Sequence, residues 1–165
     1  MHGRINATTK SAAHDIIQVA MGWFDCHLHR FQIGPRRYGI PDPMDRAMGI
    51  DMMDERGVQL SDVITPAGQR ATFIYEYDFS DGWQYAIKLE ETHAAVPKTT
   101  YPRCTDGERA CPPENVGGIG DYEDFLKAIA DLDHERHEEL TKWIGKYDPE
   151  MFFRADINQD LRKIF

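Results

Sequence analysis

Cysteine is scarce in this chain of 165 residues: Cys26, Cys104 and Cys111 are the only three. A small, odd number argues against a secreted disulfide framework and for a reducing, cytoplasmic setting. Long apolar runs are missing too. None approaches the ~20 residues that a membrane-spanning helix needs, and residues 1–6 lack the apolar stretch of a secretory signal. Positive charge is in short supply: 19 Lys and Arg against 28 Asp and Glu leave a formal charge of −9. That balance disfavours a nucleic-acid partner, because nonspecific affinity comes mainly from cations that neutralise phosphates. No Walker-type loop, dinucleotide fingerprint, activated-serine signature or His-Glu-x-x-His run occurs.

What is present fits one domain over residues 1–165, with enough apolar residues (41%) to fill a sizeable core. Ala13, Ile16, Ile17 and Ala20 recur at helical spacing, with Thr8, Thr9 or Ser11 as candidate caps and Gly22 at the end. A strand follows in which His27, His29, Phe31 and Ile33 alternate onto one side. Gly34-Pro35 turns it into a short return strand around Tyr38. Residues 39–57 read as a long loop, and Leu60, Val63 and Ile64 as one helical turn.

The next hairpin is rich in aromatics, with Phe73, Tyr75, Tyr77 and Phe79 on one strand and Trp83, Tyr85, Ile87 and Leu89 on the other. A loop of Ser80-Asp81-Gly82 opposes Phe79 to Trp83, Tyr77 to Tyr85 and Tyr75 to Ile87. That register keeps one apolar face and puts Gly82 at a left-handed position. After a loop-rich stretch, Asp121 caps a helix buried through Tyr122, Phe125, Leu126 and Ile129. Asp133 caps another carrying His137, Leu140 and Ile144, and a last helical stretch follows Asp148-Pro149. Strands early and helices late predict an α+β fold: a mostly antiparallel sheet built on hairpins, packed against an N-terminal helix and a C-terminal helical group.

Several motifs, in order, resemble the plasmid pRiA4b ORF-3-like family, found on plasmids, near transposons and on prokaryotic chromosomes. They are Ala20-Met21-Gly22-Trp23, His27-Leu28-His29-Arg30-Phe31, and the hairpin run from Tyr75-Glu76-Tyr77-Asp78-Phe79 to Trp83. The loop from Cys104 to Cys111-Pro112-Pro113-Glu114 and the acidic, His-bearing Asp133-His134-Glu135-Arg136-His137-Glu138 complete the pattern. The resemblance spans about residues 13–153 and implies a shared fold; the family name assigns no reaction. Two departures stand out. The family often has His two positions after the hairpin Trp, where this chain has Tyr85. Family members also begin with an extended segment containing an Ile-Trp-Arg-like run that residues 1–10 do not contain. A missing leading strand would expose a sheet edge and favour a homodimer, or else mark the chain as a shortened version of a longer gene product.

For chemistry, His27 and His29 share one side of a strand, as in strand-borne metal sites. Cys104 and Cys111 are separated by six residues, wider than a zinc knuckle prefers, and are expected on one loop with neighbouring sulfurs. His134 and His137 lie about one helical turn apart among carboxylates. These six residues are the metal candidates, with zinc the cofactor to consider; each also has a plain reading as a packed or surface side chain. The leading expectation is a noncatalytic binding or interaction module of a mobile-element-associated family, taking a protein or small ligand. Its contact surface would comprise Asp78, Asp81, Trp83, Cys104, Cys111 and Glu114. The alternative is a small metal-dependent hydrolase with ligands from His27, His29, Cys104, Cys111, His134 and Asp78. Direct DNA binding through Arg30, Arg36 and Arg37 is the third reading, opposed by the net charge.

Overall fold

The computed structural model describes residues 2–6, 12–59 and 72–164. The expected helix caps at Thr8, Thr9 or Ser11 and the turn at Leu60, Val63 and Ile64 lie outside them. The described chain forms two compact units. One holds residues 2–6, 16–24 and 100–164; the other holds 12–15, 25–59 and 72–99. The α+β class is as expected. No helix among the described residues is long and apolar enough to cross a membrane.

The second unit is built on a five-stranded sheet. Its strands are β2 (His29–Ile33), β3 (Arg36–Gly39), β4 (Met52–Asp54), β5 (Thr72–Tyr77) and β6 (Trp83–Lys88). Their order is β4-β3-β2-β5-β6, antiparallel except for the parallel β3–β4 pair. Alternation decides which side is buried: Phe73, Tyr75 and Tyr77 on β5 are buried, and so are His29 and Phe31 on β2. Phe31 lies opposite both Tyr75 and Tyr38, so β2, β3 and β5 close one aromatic face. Such residues suit a pleated, half-buried surface.

The hairpin register corrects the expectation by two residues. Tyr77 opposes Trp83, Tyr75 opposes Tyr85 and Phe73 opposes Ile87. The faces are as expected because a two-residue slip preserves parity. The cause is a longer loop, residues 78–82, organised by Asp78. This residue is itself left-handed (φ 51°), and its Oδ1 accepts from the Ser80 amide, the Ser80 hydroxyl and the Asp81 amide. Gly82 is left-handed as expected (φ 68°).

Residues 39–57, read as loop, contain β4 and a short helix α2 (Pro43–Ala47). Asp42 and Asp45 form a capping box around Pro43, but the helix buries no residue. An exposed helix and a three-residue strand leave no hydrophobic period to read. Gly39 explains the close approach of β3 to β2: a Cβ there would lie 2.9 Å from the His29 carbonyl oxygen.

The first unit contains a two-stranded ribbon, β1 (His2–Asn6) with β7 (Arg103–Glu108). Residues 2–6 thus form a strand where one was expected to be missing. An exposed ribbon tolerates the polar His2-Gly3-Arg4 run, and Ile5, opposite Cys104, is half-buried. Helix α1 (Ala12–Met21) begins in the other unit and continues into this one, closed by left-handed Gly22 as expected.

Helices α3 (Ile119–Ala130) and α4 (His137–Ile144) enclose Phe125, Ala128 and Leu140, with Tyr122, Leu126, Ile129 and Ile144 packed around them. Their caps are Gly118 and Arg136, not Asp121 and Asp133; Asp121 sits in the first turn of α3. Helix α5 (Arg154–Ile164) docks on β7 through the Asn158 side chain. Its amide donates to the Cys104 carbonyl and its oxygen accepts from the Cys104 N–H, both at 2.8 Å.

Gly39→Ala should destabilise the protein by about 1–3 kcal/mol, because backbone must shift to admit a methyl group. Urea denaturation checks this; an unchanged midpoint would refute the close approach.

Candidate metal centre

His14, Asp25, His29 and Glu55 come together within the second unit from four separate segments. Helix α1 presents His14 on its first turn, and β2, in the middle of the sheet, presents His29 on the aromatic side. Glu55 directly follows β4 and continues its pairing by donating its N–H to the Gly39 carbonyl at 3.0 Å. Asp25 sits in the link between α1 and β2 with φ 53°, a left-handed conformation that Asp tolerates better than most residues.

The two imidazoles stack with centroids 3.5 Å apart and planes 9° from parallel. His14 Nε2 lies 2.7 Å from Asp25 Oδ1, and His29 Nε2 lies 3.0 Å from Glu55 Oε1. On the other side of its ring, His14 Nδ1 is 2.8 Å from the Tyr75 hydroxyl. One ligand-capable atom from each of His14, Asp25 and His29 lies within 4.8 Å of the others. Both imidazoles are buried (7% and 6% exposed side chains), Glu55 nearly so, whereas Asp25 is 60% exposed. The cluster is thus closed on the sheet side and open at Asp25. Glu55 Oε2 is buried with no hydrogen-bond partner, alone in this among the described residues.

Burial pushes the His14 pKa down, as does the neighbouring His29, and the Asp25 carboxylate opposes them without reversing the shift. Neutral His14 is therefore favoured, the form in which an imidazole binds a metal.

Of the six expected metal candidates, only His29 enters this cluster. His27 precedes β2 and pairs with Asp78, Nδ1 to Oδ2 at 3.4 Å. His134 Nδ1 accepts from the Arg136 amide, and His137 Nδ1 donates to the Ala128 carbonyl. These two rings stitch the link between α3 and α4. Cys104 lies on β7, its thiol donating to the Asp106 carbonyl, and burial pushes its pKa up. Cys111 instead places its sulfur 3.2 Å from Met21 Sδ. The two thiols have different partners, and neither is in a disulfide.

Among the expected surface residues, Asp78, Trp83 and Cys104 are buried, and Trp83 opens β6 opposite Tyr77. Asp81 lies in the Asp78 turn. Glu114 accepts the Phe24 N–H at 2.7 Å. Arg30 is taken up by Glu76 at 2.7 Å and by the Phe79 ring, 5.0 Å from its centroid, which leaves it little freedom for phosphate.

His14, Asp25, Glu55 and Tyr75 were missing from the sequence candidates. A signal existed for His14: it and Gln18, one turn apart, are polar residues on the buried side of α1. Asp25 also continues the alternation of His27 and His29 backwards. Nothing in the sequence pointed to Glu55.

Asp78 supports a separate prediction. Burial raises its pKa, but the bonds from Ser80 and Asp81 and the nearby His27 outweigh that and bring it below the usual Asp value. A lowered folded-state pKa gives stability that is complete above ~3.9 and lost as pH falls through the lower folded value. Asp78→Ala should cost about 1–3 kcal/mol near neutral pH and flatten that acid limb. Asp78→Asn should cost less, since Asn also tolerates positive φ. Denaturation across pH checks both; an unaltered acid limb in the Ala variant would contradict the assignment.

Comparison with known proteins adds the wider setting. The profile of the plasmid pRiA4b ORF-3-like protein family matches residues 6–156. The uncharacterized protein y4hQ of Sinorhizobium fredii (strain NBRC 101917 / NGR234) is 40% identical over 138 residues, which cover 84% of this chain and 69% of that protein. The crystal structure of MM3350 from Methanosarcina mazei Go1, a protein of unknown function, is similar with a TM-score of 0.81 and 33% identity. That likeness covers 93% of this chain and 87% of MM3350.

Proposed function

The chain belongs to the plasmid pRiA4b ORF-3-like family, and within it we propose that this protein is a small metal-dependent hydrolase centred on His14, Asp25, His29 and Glu55. The observation that carries the reading is two buried imidazoles facing two carboxylates, with Glu55 Oε2 buried and unpartnered. An unsatisfied buried acceptor costs about 1–3 kcal/mol, more if charged, and a divalent cation in the cluster would remove that cost. Two imidazole nitrogens with carboxylate oxygens suit zinc, and also manganese or ferrous iron.

The metal would polarise a substrate oxygen and activate water. The protein's part is to hold the two imidazoles on a rigid strand and helix, exclude water on the aromatic side and leave the Asp25 side open to substrate. An interaction module without a metal would leave Glu55 Oε2 unexplained. The three free cysteines fit a reducing, cytoplasmic setting, and the family's name fits an association with mobile elements.

Protein purified without a histidine tag should carry about one equivalent of zinc, manganese or iron by elemental analysis, the stoichiometry of a single site with an open position for water. His14→Ala and His29→Ala should each lose it, and His134→Ala and His137→Ala should retain it. Hydrolysis of p-nitrophenyl ester or phosphate probes should stop on chelation and return with metal. Protein that neither contains nor takes up a metal would overturn the proposal.

A further inference from the structure

Resting on the metal reading above, we infer that Tyr75 is a positioning residue whose hydroxyl changes from donor to acceptor so that His14 can present Nε2 to a metal. The Tyr75 side chain is fully buried in β5, opposite Phe31 on one side and Tyr85 on the other. Packing fixes the ring, and only the O–H torsion is free to turn.

A neutral imidazole carries one ring proton, and both nitrogens of His14 are engaged: Nδ1 with the Tyr75 hydroxyl and Nε2 with Asp25. An ionised carboxylate can only accept. Without metal, the proton therefore sits on Nε2, pointing at Asp25, and Nδ1 accepts from the Tyr75 O–H. A metal at Nε2 uses that nitrogen's lone pair, so the ring proton must reside on Nδ1, and its partner must accept. The exchange balances: Nε2 releases a proton to solvent, Nδ1 takes one up from solvent, and Tyr75 keeps its own while turning it away. A phenol can fill both roles, whereas a carboxylate or an ammonium can fill one. The partner on a ligand's second nitrogen commonly fixes its tautomer and tunes metal affinity.

Tyr75→Phe keeps the ring and deletes only the hydroxyl. Competition with a chromophoric zinc chelator should show affinity lowered 10–100-fold, with saturating stoichiometry unchanged and Tyr85→Phe binding as the parent does. Nitrogen-15 NMR of the parent protein tests the same idea even if the variant folds poorly. His14 should carry its proton on Nε2 without zinc and on Nδ1 with zinc. Equal zinc affinity in Tyr75→Phe, or an Nε2–H on His14 in the zinc-loaded parent, would overturn the role of Tyr75 while leaving the metal site standing. A parent protein that binds no zinc, manganese or ferrous iron would overturn both.

Discussion

Two imidazoles stacked 3.5 Å apart against an aromatic sheet face constrain everything around them in the second unit. Two imidazolium charges at that distance would repel strongly in so dry a place, so the pair demands neutral rings, anionic neighbours or both. The surrounding elements meet that demand. Strand β2 holds His29 at the centre of the sheet, and Gly39 lets β3 approach it closely enough to bring Glu55 alongside. Asp25 adopts a left-handed conformation beside His14. Backbone placed in a sparsely populated region next to buried polar side chains is a recurrent mark of functional sites.

His134 and His137 show what ordinary structural use looks like in the same molecule. His134 and His137 bond to backbone within their own turn region, and His27 leans on Asp78, which itself organises the hairpin loop. For His134 and His137 the backbone partner explains the side chain. The His14–His29 cluster differs because its geometry leaves a buried carboxylate oxygen over. That surplus acceptor, more than the number of histidines, separates a candidate metal centre from a packed histidine. The known relatives named above have no assigned function, so the chemistry rests on this chain's own side chains.

Legibility in the sequence followed the physics of each element. The hairpin faces could be read from strict alternation of Phe73, Tyr75 and Tyr77, and the α3 stripe from the spacing of Tyr122, Phe125 and Ile129. The register could not, because Asp78 enlarges the loop through side-chain bonds that a rule about turn lengths does not contain. Helix α2 and β4 escaped notice since neither has a buried face with a period. Of the metal cluster, His29 was visible as a histidine on a buried strand. His14 sits among Ala13, Ile16 and Ile17, whose spacing alone marks the buried face of α1, and Glu55 reaches the site only through the parallel β3–β4 pairing. A short parallel contact of that kind leaves no local trace in a sequence.

Anomalous diffraction from crystals soaked in zinc, collected on either side of its absorption edge, addresses the central claim most directly. The account requires one strong peak bound by His14 Nε2 and His29 Nε2, with carboxylate oxygens of Asp25 or Glu55 completing the shell, at the ~2.0–2.2 Å typical of zinc. A peak on other residues, or none between the two imidazoles at full soaking, would contradict it.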